Sequence, residues 1–345
     1  MQYFSPSRPG LCSRKRNFNP VKIWHRNGIL ILSVLAFGAV RMPFEAKLAE
    51  QLTTARLSPV TLAIGTRDKI GQTSSAVALG GLRTLVATFI NLRAFSFFQE
   101  QRWDDLANSF DTIVDLAPRT SYYWETGSWH SAYNAASYYL NDTQLPALRR
   151  REAWRLAIAN GRAFLERGVR NNPKDPGLLT ALGFLLSDAN KLQAFRDRNQ
   201  TFAAAAAAYH RAADLDKVAP YVRRAELYSL ARVLGQEPAA LALAQSLYRQ
   251  SQNRTPTLVI LLLVLECHAN PAIDSAQRAI QLFETPKKAY DALSTHWQRT
   301  RERFPVDGVA SALESLEKTL NIPPPQSIFR RPLPPATGPD SWFAN

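Results

Sequence analysis

Residues 87–118 read ATFINLRAFSFFQEQRWDDLANSFDTIVDLAP, and the fold turns on how this stretch is read. Ile90, Ala94 and Phe97 recur at the spacing of one helical face. After a polar break the same spacing returns in Leu106, Phe110 and Ile113. Two amphipathic helices are expected, closed by Leu116-Ala117-Pro118, because proline cannot continue a helix. A small residue at position 94 lets the two helices approach, and the rings of Phe97 and Phe110 fill the space beside it.

The same arrangement recurs downstream. A second unit starts at Tyr122-Tyr123-Trp124 and is interrupted by Leu140–Leu145 and Pro146; a long helix from Ala147 to Arg170 then ends at Asn171-Asn172-Pro173. A third has Leu182-Gly183 in its first helix and Phe202–Leu215 in its second, split by the polar loop Lys191–Gln200. A fourth runs from Tyr221 to Arg254 with a turn at Gly235-Gln236-Glu237-Pro238. Pairs ending at Pro118, Pro173, Pro220 and Pro256, at spacings of about 34 to 55 residues, have the period of helical repeats, in which each hairpin buries its apolar face on its neighbours. Residues 80–256 are therefore expected to form such repeats, and 257–322 further helical pairs and a cap. Thr257–Ala269 contains LVILLLVL, Leu258–Leu265, too short to span a bilayer and read as a helix buried on all sides. Residues 323–345 are proline-dense and are expected to be an extended, disordered tail.

At the other end, residues 1–27 are a basic tail and residues 28–44 begin with GILILSVLAFGAV, an uncharged run. Positive charge ahead of an apolar segment is what membrane insertion or export requires. The residues between Arg26 and Arg41 span about 21 Å as a helix, short of the roughly 30 Å of hydrocarbon. Arg26 and Arg41 can snorkel, with Trp24 and Phe44 at the interfaces. An uncleaved inner-membrane anchor is favoured, because Glu45–Leu52 continues as a helix, which would leave the N-terminus cytoplasmic and the repeats periplasmic. A cleaved signal, with small residues at Ala36-Phe37-Gly38, stays open. Residues 45–79 read as a helix and a linker.

The formal charge of +14 invites a nucleic-acid reading, but much of it sits at the termini, leaving +6 over residues 45–325 with mixed signs. No stripe of Lys and Arg interleaved with aromatics is present to track phosphates, so nucleic acid is not an expected partner. Only Cys12 and Cys267 occur, too few for a disulfide framework; Cys267 is read as a small buried hydrophobe.

The region 80–139, GGLRTLVATFINLRAFSFFQEQRWDDLANSFDTIVDLAPRTSYYWETGSWHSAYNAASYY, resembles bacterial membrane-anchored tetratricopeptide repeat proteins. In these a short anchor precedes a phrase with an "fR" start, a W/Y-x-x-L-x-x-x-F core and a later W-x-x-x-x-W-x-x-A-Y-N. The resemblance covers about residues 28–260 and is strongest over 80–186. It implies a solenoid scaffold with no catalytic residues to transfer. The departures are Ile90 at the fourth position of the first unit, where the repeat has Trp, and Arg93 at the seventh.

The fold expected is thus all-α, a TPR-like α-solenoid of antiparallel helix pairs behind the N-terminal segment. The function expected is that of a protein-binding scaffold of the cell envelope, with no cofactor. His25, His130, His210, His268 and His296 are scattered, with none at metal-ligand spacing, and no phosphate-loop or nucleophile-elbow motif occurs. Asp104-Asp105 and Asp214/Asp216 read as helix-end acids. Glu125, Trp129 and Tyr133, spaced i, i+4, i+8, lie on one stripe, and with Asn91 and Phe95 of the preceding helix they are the candidate partner-binding groove. Against this stands simple packing of Trp124, Trp129 and Tyr138 between helices. The rival function is an exported helical-toroid enzyme acting on carbohydrate, with aromatic stacking and a carboxylate pair drawn from Asp104, Asp105, Glu125 and Asp188.

Overall fold

The computed structural model describes residues 82–215 and 218–332. The expected anchor at 28–44, the flanking segments 1–27 and 45–79, Asp216 and residues 333–345 lie outside this range. Apart from its first residues, the described part falls in one compact unit, 85–345; the other unit comprises residues 1–84.

The described residues are all-helical, with no strand among them. The helices are α1 Arg83–Gln99, α2 Trp103–Leu116, α3 Ser121–Trp129, α4 Ala136–Asn141, α5 Ala147–Asn171, α6 Pro176–Ser187, α7 Arg198–Ala213, α8 Pro220–Leu230, α9 Glu237–Tyr248, α10 Pro256–Ala269, α11 Ser275–Phe283, α12 Pro286–Arg299 and α13 Val309–Thr319. α3 runs into α4 without a break through a π-helical stretch, His130–Ala135. From α2 onward, neighbours in sequence pack on one another, most extensively α6 on α7 and α7 on α8, and α3 also meets α5 and α6.

Capping accounts for many of the boundaries. Asp175 accepts from the amide of Leu178 at 3.0 Å and Asp197 from that of Gln200 at 2.9 Å, starting α6 and α7. Asp274 caps α11, and Thr255 and Thr285 cap α10 and α12. The prolines divide into two groups. Pro118 and Pro173 lie in turns after α2 and α5, as expected of closing residues. Pro220 and Pro256, expected to end helix pairs, instead occupy the first turns of α8 and α10, where the ring's fixed φ suits the helix and the missing N–H is not needed.

Packing follows the residues that can pack. Leu258–Leu265 are all buried, so α10 is the centre of a core that collects Leu227, Leu247, Ala279, Leu293, Leu313 and Leu316 from the surrounding helices. Cys267 is buried with them, and burial pushes its thiol pKa up, so it behaves as a small apolar side chain. Residues 323–332 do not form the extended tail expected. Two short 3₁₀ turns return the chain to the core, Ile328 is buried, its amide donates to Glu317 Oε1 at 2.7 Å, and Phe329 packs edge-on against Trp297. One apolar residue between prolines finds a pocket that periodicity cannot reveal.

The part of the fold that positions the site is the crossing of α3 and its π-helical continuation with α5. An added Cβ at Gly161 would lie 2.8 Å from the Ala132 amide nitrogen and 2.9 Å from the Ser128 carbonyl; at Gly168 it would lie 2.9 Å from Trp124. The backbones approach so closely that Ser128 Oγ donates to the Gly161 carbonyl and Ser131 Oγ to that of Ala157, both at 2.9 Å. Trp124 is interior, its indole N–H donating to the Pro118 carbonyl at 2.9 Å. With its inner face pinned on α5, the helix turns its other face outward.

Candidate functional site

That outward face forms one wall of a groove of about 800 Å³. Tyr122, Glu125, Trp129 and Tyr133 come from α3 and the π-helical stretch; Gly177, Thr180, Ala181 and Phe184 come from α6; Tyr209 comes from α7 and Tyr221 and Val222 from the start of α8. A volume of this size is typical of a binding cleft. The exposure of its rings is the unusual part: Tyr122, Trp129, Phe184 and Tyr221 are 59%, 51%, 54% and 52% accessible. Large apolar rings gathered around one concavity make it a candidate contact surface.

The rings are ordered by each other. The Trp129 indole stacks on the Tyr133 phenol, Phe184 lies 6.4 Å from Tyr133 at 21° to its plane, and the Lys191 ammonium sits 4.3 Å from the Tyr133 ring centroid. Lys191 is buried, and loss of water lowers its pKa, opposed by the charge of Asp188. The Tyr133 hydroxyl is buried without a hydrogen-bond partner, and burial drives its pKa well up, so the phenol stays neutral. His130 is held by Asn134, at 2.9 Å from Nδ1, and burial lowers its pKa.

Of the residues expected to form the site, Glu125, Trp129 and Tyr133 are brought together here. Asn91 and Phe95 are not among the lining residues. Phe95 is exposed on α1, its ring 6.2 Å from Phe98, and Phe98 packs 4.9 Å from the His130 ring and lines a separate cavity with Trp103 and Tyr138. The four carboxylates weighed for sugar chemistry are not gathered in the groove. Glu125 lines it; Asp104 lines a separate cavity with Trp103 and Tyr139; Asp105 is engaged by Arg102; Asp188 accepts from the Asn190 amide at 3.0 Å. Asp214 ends α7 in an ion pair with Arg223, which also bonds the buried Glu226 beside His210. Among the described residues no group of three His, Cys, Asp or Glu side chains is placed to hold a metal.

Sequence reasoning missed the opposite wall. α6 reads PGLLTALGFLLS, apolar on every side, so nothing in its periodicity shows that Phe184 points outward while Leu185 and Leu186 point in. The one available signal was Gly183, against which Tyr209 packs closely: a Cβ there would lie 2.9 Å from the ring. Comparison with known proteins gives no relative from which a role can be transferred: the chain matches no family model, no curated protein and no solved structure.

Proposed function

We propose that the chain is a helical-repeat binding protein that holds a segment of another protein in the groove between α3 and α6–α8, and that it carries out no reaction of its own. The observation that carries this reading is the set of four exposed rings, Tyr122, Trp129, Phe184 and Tyr221, around one apolar concavity. Such rings supply large contact area at little conformational cost, as anchors at protein interfaces do. Sequential packing of the helices supports a TPR-like solenoid, in which first helices of successive pairs line one face. The basic, then apolar, segment ahead of residue 45 supports tethering in the envelope, with residues 28–44 as the inner-membrane anchor.

The test is site-specific photocrosslinking of the full chain in membranes. A photoreactive phenylalanine replaces Phe184 in the groove, or Leu148, which is 81% exposed and lies away from it. Adducts formed at position 184, absent at 148 and lost when Trp129→Ala and Tyr133→Ala are added are the expected result. Identical adducts at both positions, or adducts indifferent to the double substitution, would overturn the reading. Carbonate extraction tests the tether: recovery in the soluble fraction means a processed signal.

A further inference from the structure

Among the described residues, the lining of the groove carries an acid and no Lys or Arg, in a chain of formal charge +14. The acid is Glu125; Lys191, whose ammonium lies 4.3 Å from the centroid of the Tyr133 ring, is not among the described lining residues. His130 also lies at its wall, and burial lowers its pKa, which disfavours its charged form.

Glu125 is also uncommitted. It has no ion pair or hydrogen bond among the described residues, whereas its acidic neighbour Asp175 is used twice, capping α6 through Leu178 and accepting from Ser121 Oγ. A Cβ at Gly177 would lie 3.0 Å from Glu125 Oε1, so the carboxylate rests against the first turn of α6, where the amide ends favour negative charge. Partial burial, then the charge of Asp175, raises its pKa. Both effects are relieved by a cation placed beside it. Tyr122 and Trp129, three residues before and four after it on the same helix, flank that position with exposed ring surface suited to a cation.

We infer that the bound segment presents a Lys or Arg side chain to Glu125 and lays apolar side chains on Trp129, Tyr133 and Phe184. The inference rests on the groove being the binding site, and adds the chemistry of the partner. Glu125 to Tyr133 covers about 12 Å along the helix, which an extended chain crosses in about four residues. The basic residue therefore lies within about four positions of an aliphatic or aromatic one.

The experiment selects ligands from a displayed library of random twelve-residue peptides on the full-length protein in detergent. The strongest binder, made synthetically and labelled, is then titrated by fluorescence anisotropy against wild type, Glu125→Gln, Glu125→Lys and Trp129→Ala. Thermal melts confirm that the substituted proteins fold. The expected result is enrichment of Lys or Arg near an apolar residue. Affinity should fall about tenfold in Glu125→Gln and further in Glu125→Lys, and the Gln effect should vanish when the peptide's basic residue becomes norleucine. Peptides that need Trp129 but ignore Glu125, or that carry no cation, would sink the charge inference and leave the groove reading standing. Peptides indifferent to Trp129, or no enrichment, would count against both.

Discussion

The Trp129 indole lies flat on the Tyr133 phenol, with ring centroids 4.1 Å apart and planes 15° from parallel. One face of Trp129 remains in solvent, while the Tyr133 hydroxyl is buried with no hydrogen-bond partner. An unmet buried hydroxyl costs about 1–3 kcal/mol. Tyr133→Phe is therefore expected to raise stability by about 1 kcal/mol in urea denaturation. Trp129→Ala is expected to lower it by only about 1 kcal/mol, the scale of one aromatic pair. A large loss in the first variant would mean that the hydroxyl is satisfied after all.

Gly161 offers a second check, at the α3–α5 crossing. An alanine inside a helix gains about 1 kcal/mol over glycine from propensity. Here its Cβ would meet backbone atoms at 2.8 and 2.9 Å, which cannot rotate away, and overpacking of this kind costs about 1–3 kcal/mol. Gly161→Ala should thus lower the denaturation midpoint. A rise would show that the crossing is looser than described.

His296 gives the fold a pH dependence of known sign. It is 4% exposed, with Nδ1 2.7 Å from the Thr300 hydroxyl, and burial lowers its pKa from 6.5, opposed by the Pro305 carbonyl. The unfolded chain binds this proton more readily than the folded one. Its effect is absent above pH 6.5, and stability is lost as pH falls from there towards the folded pKa. His130 adds in the same direction. Thermal melts should show a midpoint that drops between neutral and mildly acidic pH, with a shallower slope in His296→Gln.

The C-terminal segment supplies the fourth prediction. Ile328 is 2% exposed, and Glu317, which accepts its amide, also accepts from the Tyr290 hydroxyl at 3.0 Å. Ile328→Ala should cost about 2–4 kcal/mol in denaturant unfolding. An unchanged midpoint would return residues 323–332 to the class of a loose tail.

How far the sequence revealed this molecule depends on which signal each element carries. The caps Asp175 and Thr255, which start α6 and α10, were not read from the sequence, whereas Leu106, Phe110 and Ile113 announced α2 by spacing alone. The outward stripe of Glu125, Trp129 and Tyr133 was legible for the same reason, although the π-helical stretch that carries Tyr133 was not, since nothing in HSAYNA differs from ordinary helix. Phe184 and Tyr221 could not be assigned to the groove, because which residue faces which across separate helices is decided by tertiary packing. Phe95 shows the reverse failure. It sits on a suitable face of α1, but that helix delivers Phe98, not Phe95, to the His130 ring.

The missing side chains at Gly161, Gly168 and Gly183 have a consequence for the shape of the groove. α3 is seated on α5, and α6 on α7, at distances that leave neither pair room to slide. Each hairpin behaves as a stiff plank, and the gap between planks is set where α5 hands over to α6, at Asn172–Asp175. There Asn172 is tied by its side-chain amide to the carbonyls of Pro118 and Gly168. Substitutions in this elbow would change the width of the groove without altering a single lining residue.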